Sequence, residues 1–281
     1  LRNIDAKEIT AAVSRLSREA NYSLPEDVLT ALKKAQETEE SPEGKDVLRQ
    51  LVENAAIARK EQIPICQDCG VAMVYLEIGQ EVSITGGDLY QAVQEGVREG
   101  YSEGYLRKSI AGHPFTHRTN TGDNTPAIIH TDIVAGDKLK IMFMPKGAGS
   151  ENMTRLFMLH PSHHRQGIIH SVVKAVEEAG SNPCPPVVVG VGIGGTADKA
   201  MDIAKRAMFR EVGKPSDDPE NAELEAELLE HINKLGIGPQ GFGGRVTALA
   251  VHVESFPCHI GSLPVAVNIQ CHALRHKEAL L

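Results

Sequence analysis

The sequence predicts an α/β fold: one large domain over residues 1–281, with N-terminal helices and a mixed sheet covered by helices. Two observations carry that expectation. Residues 4–60 repeat apolar side chains at helical spacing. Beyond residue 70, short apolar runs rich in β-branched residues alternate with helical patterns, the order expected of strands and helices packed in layers. No internal repeat, low-complexity tract or composition shift marks a boundary.

Taken in order, residues 4–20 form an amphipathic helix through Ile4, Ile9, Val13 and Leu16, and Asp5 with Glu8 forms a capping-box start. Ser23-Leu24-Pro25-Glu26 opens a second helix with Val28, Leu29 and Leu32 on its apolar face. A polar break with Pro42 and Gly44 leads to a third helix over 46–60, presenting Val47, Leu51, Ala55 and Ile57. All three are expected to pack as a cap and carry no chemistry. Residues 71–78 read as a buried strand and 87–104 as a helix. Residues 113–126 lack periodicity and are rich in Thr, Asn, Gly and His, which suits a loop lining a site. Residues 127–134 and 139–144 read as two strands of a hairpin turning at Gly136-Asp137. Lys146-Gly147-Ala148-Gly149-Ser150 precedes a helix near Glu151, and 162–179 is a further helix. A Val-rich strand over 185–192 runs through Gly194-Gly195-Thr196 into a helix ending near Arg210. A charged surface helix over 219–235 and a glycine-rich loop over 236–245 follow. Strands over 246–254 and 263–269 close the pattern, the second leading to Cys271.

The net charge of −8 leaves no basic footprint for nucleic acid. No apolar run is long enough to span a bilayer, and the polar N-terminus does not read as a secretory signal, so a cytoplasmic location is expected. Five cysteines, odd in number and scattered, argue for reduced thiols or metal ligands over a disulfide framework.

The stretch Ile65-Cys66-Gln67-Asp68-Cys69-Gly70 sets a soft thiolate ligand, an amide and a carboxylate side by side. Cys184 lies between Pro183 and Pro185-Pro186, which fix the backbone. Cys271 follows an apolar strand. These three are far apart in sequence, unlike the local ligand pairs of zinc ribbons or ferredoxins. Cys66 and Cys69 make one CxxC, which by itself suggests a redox dithiol or half a zinc site, and no second CxxC exists. Each cysteine alone is as readily a small buried apolar residue. His160, His163 and His164 surround a helix start without the glutamate of a zinc-hydrolase helix, so they read as a polar helix entrance. His259 lies shortly before the strand that leads to Cys271. Gly190-x-Gly192-x-Gly194-Gly195 contains the glycine spacing of a dinucleotide loop but lacks the acidic residue that closes that fold. Tight turning into a helix is its expected role.

Together, Cys66-Gln67-Asp68, Leu106-Arg107-Lys108-Ser109, Asn120 to Asn124, Pro145 to Asn152, Cys184-Pro185-Pro186, Ile193 to Thr196 and His259 to His272 resemble the α subunit of a two-subunit class I (iron–sulfur) fumarate hydratase, in the family shared with L-tartrate dehydratase. The segments occur in order over most of the chain. The resemblance implies a [4Fe–4S] cluster held by Cys66, Cys184 and Cys271 with one iron open. It places Gln67, Asp68, Arg107, Gly149 and His259 at the substrate, with Asp68 and His259 handling protons and the other three binding. Cys69 departs from the family, where threonine is more common, and Cys258 matches no ligand position and is given a packing role. The activity implied is interconversion of (S)-malate and fumarate, with tartrate dehydration second and a non-catalytic electron-transfer or regulatory subunit a distant third. A small dicarboxylate substrate, a β subunit that completes the site and an α₂β₂ assembly are implied with it. Single-chain relatives carry the missing groups in a C-terminal domain.

Overall fold

A computed structural model describes residues 1–281. In chain order the elements are β1 (Arg2–Asp5), α1 (Ala6–Tyr22), α2 (Glu26–Thr38), α3 (Pro42–Glu61), β2 (Val71–Gly79), β3 (Val82–Thr85), α4 (Leu89–Glu103), β4 (Ile128–Val134) and β5 (Leu139–Lys146). They continue with α5 (Ala148–Glu151), β6 (Arg155–Leu159), α6 (His164–Ala179), β7 (Val187–Gly194), α7 (Ala197–Arg206), α8 (Pro219–Asn233), β8 (Ala248–Phe256), β9 (Leu263–Gln270) and β10 (Lys277–Leu280). The α/β class is as expected, with N-terminal helices and mixed sheets flanked by helices. The strands form two four-stranded sheets and a two-stranded ribbon of β1 and β3. The chain divides into two compact units: residues 1–25, 54–148 and 275–281 make the first, and 26–53 with 149–274 the second.

In the first unit, Asp5 caps α1 as its spacing with Glu8 predicts. Its Oδ1 accepts from the Lys7 amide at 2.8 Å, and Glu8 Oε1 accepts from the Asp5 amide. The sheet runs β10-β5-β2-β4, with β2 parallel to β4 and antiparallel to β5. The hairpin expected at Gly136-Asp137 is therefore not formed: β4 and β5 lie on either side of β2. The reason is burial. Residues 72–76 of β2 are wholly buried and need a neighbour on each edge, whereas β4 is largely exposed and suits the rim. The 135–138 turn instead crosses the end of β2, where the Gly79 amide donates to Lys138 O at 2.8 Å and the Glu81 amide to Gly136 O at 3.0 Å. Helices α1 and α4 cover the sheet, and Ile9, Val13, Leu16, Val93, Val97 and Phe143 fill the layer between them.

The second unit repeats the sheet pattern. Its order is β6-β9-β7-β8, with β7 parallel to β8 and antiparallel to β9. Val187, Val189 and Val191 alternate into a core shared with Val172, Val176, Leu228 and Ile269. Helix α3 contributes residues to both units; among its apolar side chains Leu48, Ala55 and Ala58 are buried, whereas Ile57, expected inside, is 47% exposed. No helix is long and apolar enough to cross a membrane.

Candidate metal centre and substrate loop

Residues 62–70 form no helix or strand, yet Ile65, Cys69 and Gly70 are buried, so the backbone groups there need partners from elsewhere. Backbone and side-chain groups of the first unit supply them. The Ile65 amide donates to Asn21 O at 2.9 Å, at the end of α1, and Asn54 Nδ2 donates to Ile65 O at 2.9 Å. Arg275 Nη2 donates to Asp68 O at 3.1 Å. Tyr101 Oη donates to Cys69 O at 2.7 Å, and Asn124 Nδ2 donates to Gly70 O at 3.1 Å. Gly70 sits at φ +70, where a Cβ would come within 2.7 Å of Lys146 N, so only glycine fits beside the end of β5.

This cradle presents three side chains in a row. Cys66 is a half-buried free thiol whose Sγ accepts from the Asp68 amide at 3.4 Å. Gln67 is exposed and its Oε1 lies 3.5 Å from that sulfur. The Asp68 carboxylate accepts from the Gly70 amide at 2.9 Å through Oδ1 and from the Ala148 amide at 2.8 Å through Oδ2. Cys69 points the other way. It is 1% exposed among the apolar residues of the first unit, and its Sγ accepts from the Arg107 amide at 3.2 Å. Burial pushes the Cys69 thiol up, against the opposing pull of that amide. A buried thiol held protonated is a poor half of a redox dithiol.

Arg107 is anchored by this contact and by buried Leu106, while its own side chain is exposed. The following loop is tied back by Asn124, fully buried, whose Oδ1 accepts from the Ser109 amide at 2.7 Å. Its neighbour Asp123 is an ion-pair partner of Arg98 at 2.9 Å. Burial opposes ionisation of Asp123, but the Thr125 amide and hydroxyl and Arg98 together outweigh it and bring its pKa to about 2.

In the second unit, the strand register brings Cys184 and Cys271 to one end of the sheet. Val188 pairs with Gln270, so Cys271 lies just past the end of β9 and Cys184 just before β7. The His272 amide donates to Cys184 O at 3.3 Å, and the His272 ring lies 3.1 Å from the same oxygen. Gln240 donates to Pro185 O through its amide at 2.7 Å and its side chain at 2.8 Å. Cys184 is exposed and held at φ +55, a conformation that costs a non-glycine residue about 1–2 kcal/mol. Strain of this kind marks a position whose side-chain direction matters. Gly149, exposed, packs at this end as well: a Cβ there would lie 3.0 Å from Asn182 O.

His259 is elsewhere in this unit. It follows β8 in the loop before β9, and β9 carries the chain from there to Cys271, about 25 Å at the usual rise of a strand. Exposed, it lines a cleft of about 440 Å³ with Met158, Lys199 and Phe256, and its Nδ1 accepts from the Gly261 amide at 3.0 Å. A wider cavity of about 980 Å³ lies under α2 against α8 and β8 and includes none of the candidate residues.

The structure contains no group of three or more His, Cys, Asp or Glu side chains that could hold a single metal ion. Thiolate sulfur is the donor type that iron–sulfur groups take. In the first unit Cys66 lies in the loop before β2 and an amide donates to its sulfur; in the second, Cys184 and Cys271 lie in loops beside β7 and β9, and none of the three is in a disulfide.

Residues 10–280 match the sequence model of fumarate hydratase (Fumerase). The chain belongs to the fumarate hydratase (Fumerase) family. Among its relatives is a Methanocaldococcus jannaschii protein, provisionally named L(+)-tartrate dehydratase subunit alpha, 45% identical over 95% of both chains. The L(+)-tartrate dehydratase alpha subunits of Escherichia coli O157:H7 and Shigella sonnei are each 31% identical over 98% of this chain and 91% of theirs. Both activities named are hydro-lyase reactions, so the Fumerase-family chain belongs among lyases. The sequence motifs put malate and fumarate ahead of tartrate; the relatives' names back tartrate better.

Motif reading missed Asn54, Tyr101 and Arg275, which cradle the loop. Only Asn124 and His272 lay inside quoted motifs, and Arg275 follows Cys271 by four residues.

Proposed function

We propose that this chain is the α subunit of an L(+)-tartrate dehydratase that removes water from a 2-hydroxy dicarboxylate in concert with a separate β subunit. The observation that carries the reading is the 45% identity, over 95% of both chains, to a relative bearing that name. The proposed cofactor is a [4Fe–4S] cluster held by Cys66, Cys184 and Cys271. With three thiolate ligands it would supply an open iron as Lewis acid for the substrate hydroxyl and one carboxylate.

The chain's own residues then have separable tasks. Asp68 handles the proton of the departing hydroxyl. One amide donates to each of its oxygens, which leaves a lone-pair site on each for a proton. Arg107, its main chain anchored and its guanidinium exposed, clamps a substrate carboxylate in bidentate geometry. Gln67, beside the Cys66 sulfur, donates to a substrate oxygen, and the Gly149 amide receives a carboxylate. His259 is the least supported of the set. In its own unit it lies a strand's length from Cys184 and Cys271, so its assignment rests on the family resemblance alone. Asp68 needs no help from it, because Gly70 and Ala148 already fix that carboxylate.

A malate–fumarate hydratase is the second reading, favoured by the description of the family itself. Anaerobic co-purification with the β subunit, followed by rates on L(+)-tartrate, its isomers, (S)-malate and fumarate, separates the two. Fastest turnover on L(+)-tartrate is expected. A preference for malate or fumarate reverses the order, and no turnover of any of them removes both.

A further inference from the structure

We propose that Arg275 is the counter-charge and positioning residue of the Cys66–Gly70 loop, matched to the negative charge that the loop carries when its cluster is bound. The inference rests on the cluster reading above. Ile65, Cys69 and Gly70 each receive a neutral donor on their carbonyls, from Asn54, Tyr101 and Asn124. Only Asp68 O receives a charged one.

Arg275 is 1% exposed. Its Nη1 donates to Asn21 Oδ1 at 3.1 Å, its Nη2 to Asp68 O at 3.1 Å, and its Nε has no partner. No carboxylate pairs with it. Asn21 is itself fixed, fully buried and bonded through Nδ2 to Ser17 O at 2.9 Å on α1. A buried guanidinium cannot shed its proton, and burying it without an ion pair is costly. A glutamine could make the Asp68 hydrogen bond with far less desolvation. The hydrogen bond therefore does not account for an arginine here, and the charge does. The anionic groups that this loop presents are the Asp68 carboxylate and the Cys66 sulfur, a thiolate when it acts as a ligand. A fixed cation behind the loop offsets the negative charge that gathers there, from thiolates and from a dicarboxylate, without occupying the substrate's side.

Two full-length variants separate charge from hydrogen bonding. Arg275→Gln keeps a donor and loses the charge; Arg275→Lys keeps the charge and loses the fork. Each is reconstituted anaerobically with iron and sulfide. Iron and sulfide content, cluster midpoint potential and melting temperature with and without cluster are then measured. The expected result for Arg275→Gln is a melting temperature no lower than wild type when cluster-free. When loaded, it should hold less iron and sulfide, melt lower than wild type and show a more negative midpoint potential. Arg275→Lys should keep the wild-type potential. A role limited to hydrogen bonding predicts a lower melting temperature for both variants when cluster-free, and an unchanged potential in whatever fraction loads. That result, or a wild-type potential in Arg275→Gln, overturns the proposal. A wild-type chain that takes up no iron and sulfide overturns the cluster reading and this inference together, and is told apart by that control alone.

Discussion

Asp68 illustrates how much of the site one residue carries. It is at once the proposed proton-handling group and a structural acceptor, its two oxygens bonded to the Gly70 and Ala148 amides. Asp68→Asn removes the exchangeable proton and turns one acceptor into a donor facing an N–H. The expected outcome is a fall in kcat of about 10²–10⁴-fold, with iron and sulfide content retained. A loss of stability of roughly 1–3 kcal/mol should accompany it, the usual cost of a spoiled hydrogen bond to a charged group. Steady-state kinetics and denaturant unfolding read the two effects separately, and a variant within a few-fold of wild type would move the proton role elsewhere. Cys66, Gln67 and Asp68 stand out in the sequence as candidates because their chemistry is local and their spacing short. The direction of Cys69 was not: CxxC spacing does not say which thiol faces the core. The donors to the loop were illegible for a similar reason. Asn54, Tyr101 and Arg275 meet it only after α1, α3 and α4 have packed, and nothing in their neighbours' identity marks them.

At the scale of elements, most helices and the long strands were readable from periodicity; short edge strands were not, and the helix expected to begin near Glu151 is a single turn that ends there, with β6 following. β1, β3, β6 and β10 are four or five residues each, too short for alternation to show. The misplaced hairpin has a general lesson in physical terms. A two-residue turn signal fixes a reversal of the chain, but the burial of β2 decides which strand fills the space between. The glycines of β7 gain a role that tight turning alone does not give them. Gly190 and Gly192 lie on one face of the strand, and a Cβ on them would fall 2.1 Å from Ala204 O and 2.0 Å from Ala200 O. They let the backbone of α7 lie against the sheet, the close helix–strand packing that the third glycine of a dinucleotide loop provides. Gly192→Ala should force α7 away from β7 and destabilise the chain by about 1–3 kcal/mol or more, the range for overpacked cores. The urea midpoint measures it, and an unchanged midpoint would mean that the helix can shift freely.

At the scale of the whole molecule, the absence of a visible boundary in the sequence follows from the topology. Each unit is drawn from separated stretches of chain, with residues 26–53 and 149–274 interleaved with the rest, so composition and linkers mark nothing. The same scale sets the last expectation, that the site is incomplete without a second chain. A dicarboxylate brings two negative charges, and breaking its C–H bond adds more as the transition state forms. Among the motif residues of this chain, Arg107 is the one arginine, and Gly149 offers a backbone amide. No residue in those motifs is placed as a base for the C–H proton. Asp68 is the group proposed for the hydroxyl proton, and His259 lies a strand's length from Cys184 and Cys271 in their own unit. We therefore expect the β subunit to supply the second cation and the base. The α chain alone should bind iron and sulfide but not turn over, and adding β should restore dehydratase activity without changing the iron content. The measurement is activity of the reconstituted α chain before and after addition of purified β, titrated to a fixed stoichiometry. Substantial turnover by α alone, with β contamination excluded, would place the whole catalytic set within these 281 residues and make the second chain a regulator or a stabilising partner.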